Sequence, residues 1–113
     1  MPHVIVEYTS NAVEAERVPD LLDAVHRAVI DSGLFEPDHI KSRALPITDY
    51  RCGTDDRPFI HVQLRIRPGR DTEQKCYLSQ AVLAAIRDRD APARVVTVEV
   101  VELDAASYAK YEV

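Results

Sequence analysis

The 113-residue sequence is sparing with the residues that carry several common chemistries. It has only three glycines, and none falls in a GxGxxG or P-loop pattern, which excludes nucleotide binding by those routes. Its two cysteines, Cys52 and Cys76, match no metal-ligand spacing and are expected to be reduced thiols of a cytosolic protein. No apolar run approaches the roughly 20 residues of a membrane helix, so no membrane partner is expected. No basic stretch followed by an apolar one opens the chain, so a secretory signal is not expected. Positive charge is also short: the net charge is −5, which argues against nucleic acid as a partner. What is present is a 46% apolar, 29% charged mixture, the balance of one folded domain spanning residues 1–113.

The charge is unevenly placed. Residues 41–75 carry eight basic and five acidic side chains, a local +3 that leaves −8 on the remainder. A basic centre in an acidic chain points to a local anion site.

The hydrophobic pattern reads as strand–helix–strand, twice. Residues 2–8 are short and β-branched, as in a buried strand. Pro19 suits a first helical turn, Val18, Leu21, Leu22, Val25 and Val29 recur at helical spacing, and Gly33 fits a helix C-terminus. Residues 39–48 read as a second strand with Lys41 and Arg43 on one face, and residues 50–58 as a loop. Phe59–Ile66 reads as a strand, and Pro68-Gly69 turns the chain. Asp71 with Gln74 forms a capping box before a helix striped by Leu78, Ala81, Val82, Ala85 and Ile86. Residues 94–103 give the clearest strand signal, and the last ten residues give none. Pro2-His3-Val4-Ile5-Val6 and Pro58-Phe59-Ile60-His61-Val62 start the two halves, so pseudo-repeats are expected at about 2–50 and 58–104.

Each strand–helix–strand unit makes its two strands parallel. Two units side by side predict a four-stranded sheet with two helices on one face, an α/β (α+β) fold. The strands read as apolar on both faces, and nothing remains to cover the second one. A closed homo-oligomer is therefore expected.

Pro2 is the most informative polar candidate. Initiator methionine is usually trimmed before a small residue, and proline qualifies. Loss of Met1 leaves a secondary amine with an ordinary pKa near 8, which burial and nearby cations lower toward neutrality. Such an amine is a general base. Arg70, in the Gly69-Arg70-Asp71 turn at a helix start, is an anion binder that backbone amides would assist. Among the rest, His61 reads as a structural histidine. His3 neighbours Pro2 but alternates to the opposite strand face. Arg65 and Arg67 read as surface charge on a strand edge, and Tyr77, Tyr108 and Tyr111 as packing residues. Arg87 and Arg89 receive no role. The four histidines lack paired carboxylate spacing, so no metal site is expected.

Three segments together resemble the tautomerase superfamily: Pro2-His3-Val4-Ile5-Val6-Glu7, Ile40-Lys41-Ser42-Arg43, and Gly69-Arg70-Asp71-Thr72-Glu73-Gln74-Lys75. The last matches the Gly-Arg-x-x-Glu-Gln-Lys motif of the small 4-oxalocrotonate tautomerases. Length, duplication and the opening segment look closer to the 5-carboxymethyl-2-hydroxymuconate isomerase branch. The resemblance spans nearly the whole chain, strong at the motifs and loose between residues 44 and 58.

It implies a cofactor-independent isomerase whose amino-terminal proline moves a proton within an unsaturated 2-hydroxy or 2-oxo di- or tricarboxylate. By this resemblance Pro2 is the base and Arg70 the best carboxylate binder. Arg43 comes next, with Lys41 where a second arginine is expected. Lysine keeps the charge but loses the planar bidentate fork. The resemblance also implies a cytoplasmic homotrimer acting in degradation of 4-hydroxyphenylacetate-type aromatics. A tautomerase of another 2-oxo acid would read similarly. So would a small ferredoxin-like oligomeric module that binds an acidic metabolite, but such a module needs no free Pro2 amine.

Overall fold

The computed structural model describes all 113 residues. The elements run β1 (His3–Thr9), α1 (Val18–Asp31), β2 (Lys41–Ile47), β3 (Phe59–Ile66), α2 (Thr72–Arg87) and β4 (Val95–Glu102), with single 3₁₀ turns at Ala15–Arg17 and Pro37–His39. The four strands form one sheet in the order β2-β1-β3-β4. β1 pairs parallel to β2 and β3 parallel to β4, while the central pair β1 and β3 is antiparallel. This is the α+β arrangement expected from two strand–helix–strand units, with the expected second strand, 39–48, shortened to Lys41–Ile47 because His39 closes the 3₁₀ turn.

Period-two alternation sorts the strand side chains. Val4, Val6, Ile60, Val62, Leu64 and Ile66 are all buried. They pack in one cluster with Leu21, Val25 and Val29 of α1 and Leu78, Val82 and Ile86 of α2. Burying each such side chain contributes about 1.5–3 kcal/mol. Register puts Val96, Val98 and Val100 opposite Ile60, Val62 and Leu64, on this same face.

Here the sequence expectation is corrected. The strands are not apolar on both faces, because Val4, Val6, Val62, Val96, Val98 and Val100 all fall on the helix-covered side. The open face bears rows such as Lys41–His3–Arg65–Val101 and Arg43–Ile5–Gln63–Glu99. On it His61 bonds Thr97 Oγ1 at 2.7 Å and Glu99 at 2.6 Å, the structural role expected of it. Arg65 lies on an inner strand rather than an edge, since β3 is flanked by β1 and β4. Tyr77 and Tyr111 do not pack: they are 58% and 86% exposed.

Two glycines shape one end of the molecule. Gly33 follows the end of α1 with φ +72°, a left-handed conformation that β-carbon sterics disfavour in other residues. Its N–H donates to Ile30 at 3.2 Å and turns residues 34–36 across the end of the sheet. Gly69, with φ +131°, does the same for the β3–α2 turn and sets the position of Arg70.

Candidate active site

The turns made by Gly33 and Gly69 enclose a cleft of about 460 Å³ at the end of the sheet where β1 begins. The start of the chain (Met1), the segment after α1 (Gly33–Glu36, His39), the β3–α2 turn (Arg67, Arg70) and the C-terminal tail (Tyr108, Lys110) all line it.

Pro2 is buried at the start of β1, and its carbonyl accepts the Lys41 N–H at 3.1 Å, prolonging the β1–β2 ladder. The chain's amine, on Met1, therefore sits at the mouth of the cleft and donates to the His39 carbonyl at 3.2 Å. Burial holds its pKa below the ordinary value of 8.0, and the positive charges of Lys41, Lys110 and Arg67 lower it further.

Arg70 enters the cleft immediately before the α2 N-cap. Its Nη2 donates to the Leu34 carbonyl at 2.6 Å, and its guanidinium lies 4.6 Å from the centroid of the Phe35 ring. One planar face and one N–H are thus committed to positioning, and the fork keeps further N–H groups for a ligand. The α2 N-terminus keeps part of its donor capacity. The Asp71 carboxylate accepts the Gln74 N–H at 2.8 Å, and Gln74 Oε1 accepts the Asp71 N–H at 3.0 Å. The capping box satisfies these two amides and leaves the Thr72 and Glu73 N–H groups without a partner in the chain, beside the Arg70 side chain.

The remaining sequence candidates separate. Lys41 Nζ donates to the His39 carbonyl at 3.1 Å and lines a neighbouring groove with Tyr108 and Lys110, beside the amine rather than in the cleft. Arg43, two residues further along β2, is exposed on the open sheet face and outside the cleft, with Nη1 3.1 Å from His3 Nδ1. Arg89 serves the opposite end of the molecule, paired to Asp20 at 3.2 Å. No three His, Cys, Asp or Glu side chains gather closely enough to hold a metal ion.

Three cleft residues escaped the sequence reading. Arg67 was expected to be edge-strand charge, yet it lies just beyond β3 with its guanidinium 5.6 Å from the Tyr108 ring centroid. Tyr108 and Lys110 lie in a tail with no periodicity to place them. Tyr108 is half-buried, and His3 Nε2 lies 3.1 Å from its hydroxyl. The available signal was charge: Arg67 is one of the eight basic side chains of residues 41–75, and Lys110 joins it from beyond the last strand.

The family model for 5-carboxymethyl-2-hydroxymuconate isomerase matches residues 2–110. The 5-carboxymethyl-2-hydroxymuconate Delta-isomerase of Escherichia coli is 28% identical over 89 residues, covering 77% of this chain and 71% of the relative. The fold is shared with the crystal structure of a 5-carboxymethyl-2-hydroxymuconate isomerase from Deinococcus radiodurans R1. That match has a TM-score of 0.82 and 25% identity, over 97% of this chain and 88% of that one. It is shared also with a fused 4-OT wild-type symmetric trimer, with a TM-score of 0.77 and 17% identity, over 96% of this chain and 90% of that one.

Proposed function

From the chain's membership of the 5-carboxymethyl-2-hydroxymuconate isomerase family, which makes it an isomerase of tautomerase fold, we propose a specific reaction. The enzyme moves a proton within an unsaturated 2-hydroxy/2-oxo polycarboxylate, with 5-carboxymethyl-2-hydroxymuconate as the substrate and the Pro2 nitrogen as general base. One observation carries this reading: the chain's amine lies at the mouth of a cleft that also holds Arg70, Arg67 and Lys110.

Removal of Met1 transfers the free amine to Pro2, within the same cationic surroundings. Its neutral nitrogen takes the proton of the substrate's 2-hydroxyl. The O–H electron pair forms the 2-oxo group, the double bonds shift along the chain, and the prolinium returns the proton to a distant carbon. Atoms and electrons balance with no redox partner, so the reaction calls for no cofactor. Arg70 binds one carboxylate and stabilises the dienolate as charge develops. Lys41 contributes charge beside the amine, and Arg43 contributes from the sheet face, more weakly than Arg70.

The protein works as a homotrimer, a reading supported by its likeness to a symmetric trimer and by a sheet face that no helix covers. That face is mixed, with Ile5, Leu45 and Val101 set among charged side chains, so the interface on it would be hydrogen-bonded and partly wet rather than a second dry core. The setting is a cytoplasmic enzyme of 4-hydroxyphenylacetate-type aromatic catabolism; no helix is long and apolar enough to cross a membrane.

Ultraviolet turnover of a panel of unsaturated 2-hydroxy diacids and triacids, by protein whose N-terminal residue is verified by mass, tests the reaction. Turnover with Pro2 at the terminus is expected, and full turnover with Met1 retained would sink the proline base. Sedimentation equilibrium tests the assembly: an active monomer of 12.7 kDa would refute the trimer.

A further inference from the structure

The C-terminal tail brings Tyr108 to the cleft in a way that fixes what its hydroxyl can do. Arg43 Nη1 lies 3.1 Å from His3 Nδ1. A guanidinium has only N–H donors, so Nδ1 must be the acceptor and His3 is the neutral tautomer protonated at Nε2. Burial and the charges of Arg43 and Lys41 hold the His3 pKa below its ordinary 6.5, in keeping with a neutral ring. His3 Nε2–H therefore donates to the Tyr108 hydroxyl at 3.1 Å. The tyrosine oxygen accepts there and makes no other hydrogen bond within the chain, so its own hydrogen is left to donate.

A free O–H donor in a cleft shared with Arg67 and Lys110 has a recognisable complement, an anionic oxygen. We propose that Tyr108 donates a hydrogen bond to a second substrate carboxylate, the one Arg70 does not hold, and that Arg43 and His3 are positioning residues that aim it through the chain Arg43 → His3 → Tyr108. The proposal rests on the isomerase reading for the identity of the ligand, and deepens it. Tyr108, Arg67 and Lys110 form the subsite that distinguishes a polycarboxylate from a monocarboxylate. Two of its three members stand in the tail, so the tail is part of the specificity pocket and not a trailing end. It also gives Arg43, which lies outside the cleft of its own chain, a route by which it reaches substrate.

The test uses unreactive probes, adipate and hexanoate, titrated against the full chain by NMR. Tyr108→Phe removes the hydroxyl and keeps the ring that Arg67 covers. It is expected to weaken adipate about tenfold, or about 1.4 kcal/mol, while hexanoate changes less than about twofold. His3→Ala is expected to weaken adipate about threefold in the parent and to cause no further loss in the Tyr108→Phe background, the signature of two residues acting as one unit. A purely structural histidine would instead lower both probes' affinities alike and additively. Adipate binding by Tyr108→Phe equal to the parent's overturns the proposal. Weakened adipate binding in a protein that turns over no member of the substrate panel leaves the Tyr108 subsite standing and removes the isomerase reading instead.

Discussion

The two ends of the sheet are built from the same parts, a strand–helix junction of one half beside a helix–strand junction of the other, and they differ in how they are closed. At the far end the Ala93 N–H donates to the Ala12 carbonyl at 3.1 Å, so backbone stitches the two junctions together. Arg89 is neutralised there by Asp20; one cavity of about 180 Å³ has Glu14, Arg17 and Asp90 also on its wall, and a second of about 410 Å³ lies on the α2–β4 side, where Asp90 faces Arg87 and Arg94. At the cleft end the equivalent stitch is made by a side chain, Arg70 to the Leu34 carbonyl. The cavity is larger, about 460 Å³, and Arg67, Arg70, Lys110 and the chain amine outnumber its one acid, Glu36. A fold with two comparable ends thus concentrates free positive charge at one of them, the end proposed as the active site. A backbone bond has nothing left over, whereas an arginine that closes a gap with one N–H still has others to offer.

The sharpest way to break this contrast is to change the amine that only the cleft end possesses. Pro2→Ala replaces a secondary amine by a primary one of different shape and basicity. Turnover is expected to fall about a hundredfold or more, with thermal melting little altered; undiminished turnover would remove the proline from the mechanism. Next in size is the pair of arginines. Arg70→Ala is expected to cost about 2–5 kcal/mol in kcat/KM on a dicarboxylate if the charge pair is desolvated. Arg89→Ala is expected to leave kcat/KM unchanged and to lower unfolding free energy by less than about 1 kcal/mol, because its ion pair is exposed. Equal kinetic effects from the two would abolish the distinction between the ends.

A smaller effect lies in the pH dependence. The proposed base works when neutral; burial and nearby cations hold the Met1 amine below 8.0, and the same charges would act on the Pro2 nitrogen that replaces it. Activity should therefore rise with pH along an acid limb that lies below 8. Lys110→Ala removes one of the positive charges responsible, so its limb should move toward higher pH; an unmoved limb would exclude Lys110 from the electrostatics of the amine. The smallest effect concerns stability. His3 has a folded pKa below 6.5, so the unfolded chain binds that proton first as pH falls. His3 should thus contribute a loss of stability that begins near pH 6.5 and levels off below its folded pKa. Denaturant titrations of parent and His3→Ala proteins across that range should show the difference between them changing in this window, and a constant difference would contradict it.

Much of this was legible in the sequence because it depends on local pattern. The helix stripes, the Asp71–Gln74 capping box, the Gly33 terminus and all four strands follow from spacing, and the amine and Arg70 follow from position and motif. Two features were not legible. Which face each valine occupies depends on the register between strands, and a reading that took the strands one at a time credited both faces with apolar character. Tyr108 and Lys110 were hidden for a different reason. They occupy no periodic element, and the tail after Leu103 makes no backbone hydrogen bond to the rest of the chain. What places it is the contact of Tyr108 with His3, 105 residues away, which no local pattern encodes.

The tail and Met1 share a cleft, so the two termini of the described chain are near neighbours, and this governs how the protein tolerates being joined to anything. A head-to-tail fusion of copies would need only a short bridge, but every downstream copy would then hold its Pro2 nitrogen in a peptide bond. An amide is not a base, so on the proposed proline mechanism only the leading copy of such a concatemer would turn substrate over, however well all of them fold. A tag at the front would silence the proposed base outright, and a tag at the back would hang over the proposed cleft, which Tyr108 and Lys110 line. The permissive point for attachment is an exposed internal loop, and residues 53–55, remote from the cleft in the β2–β3 connection, provide one.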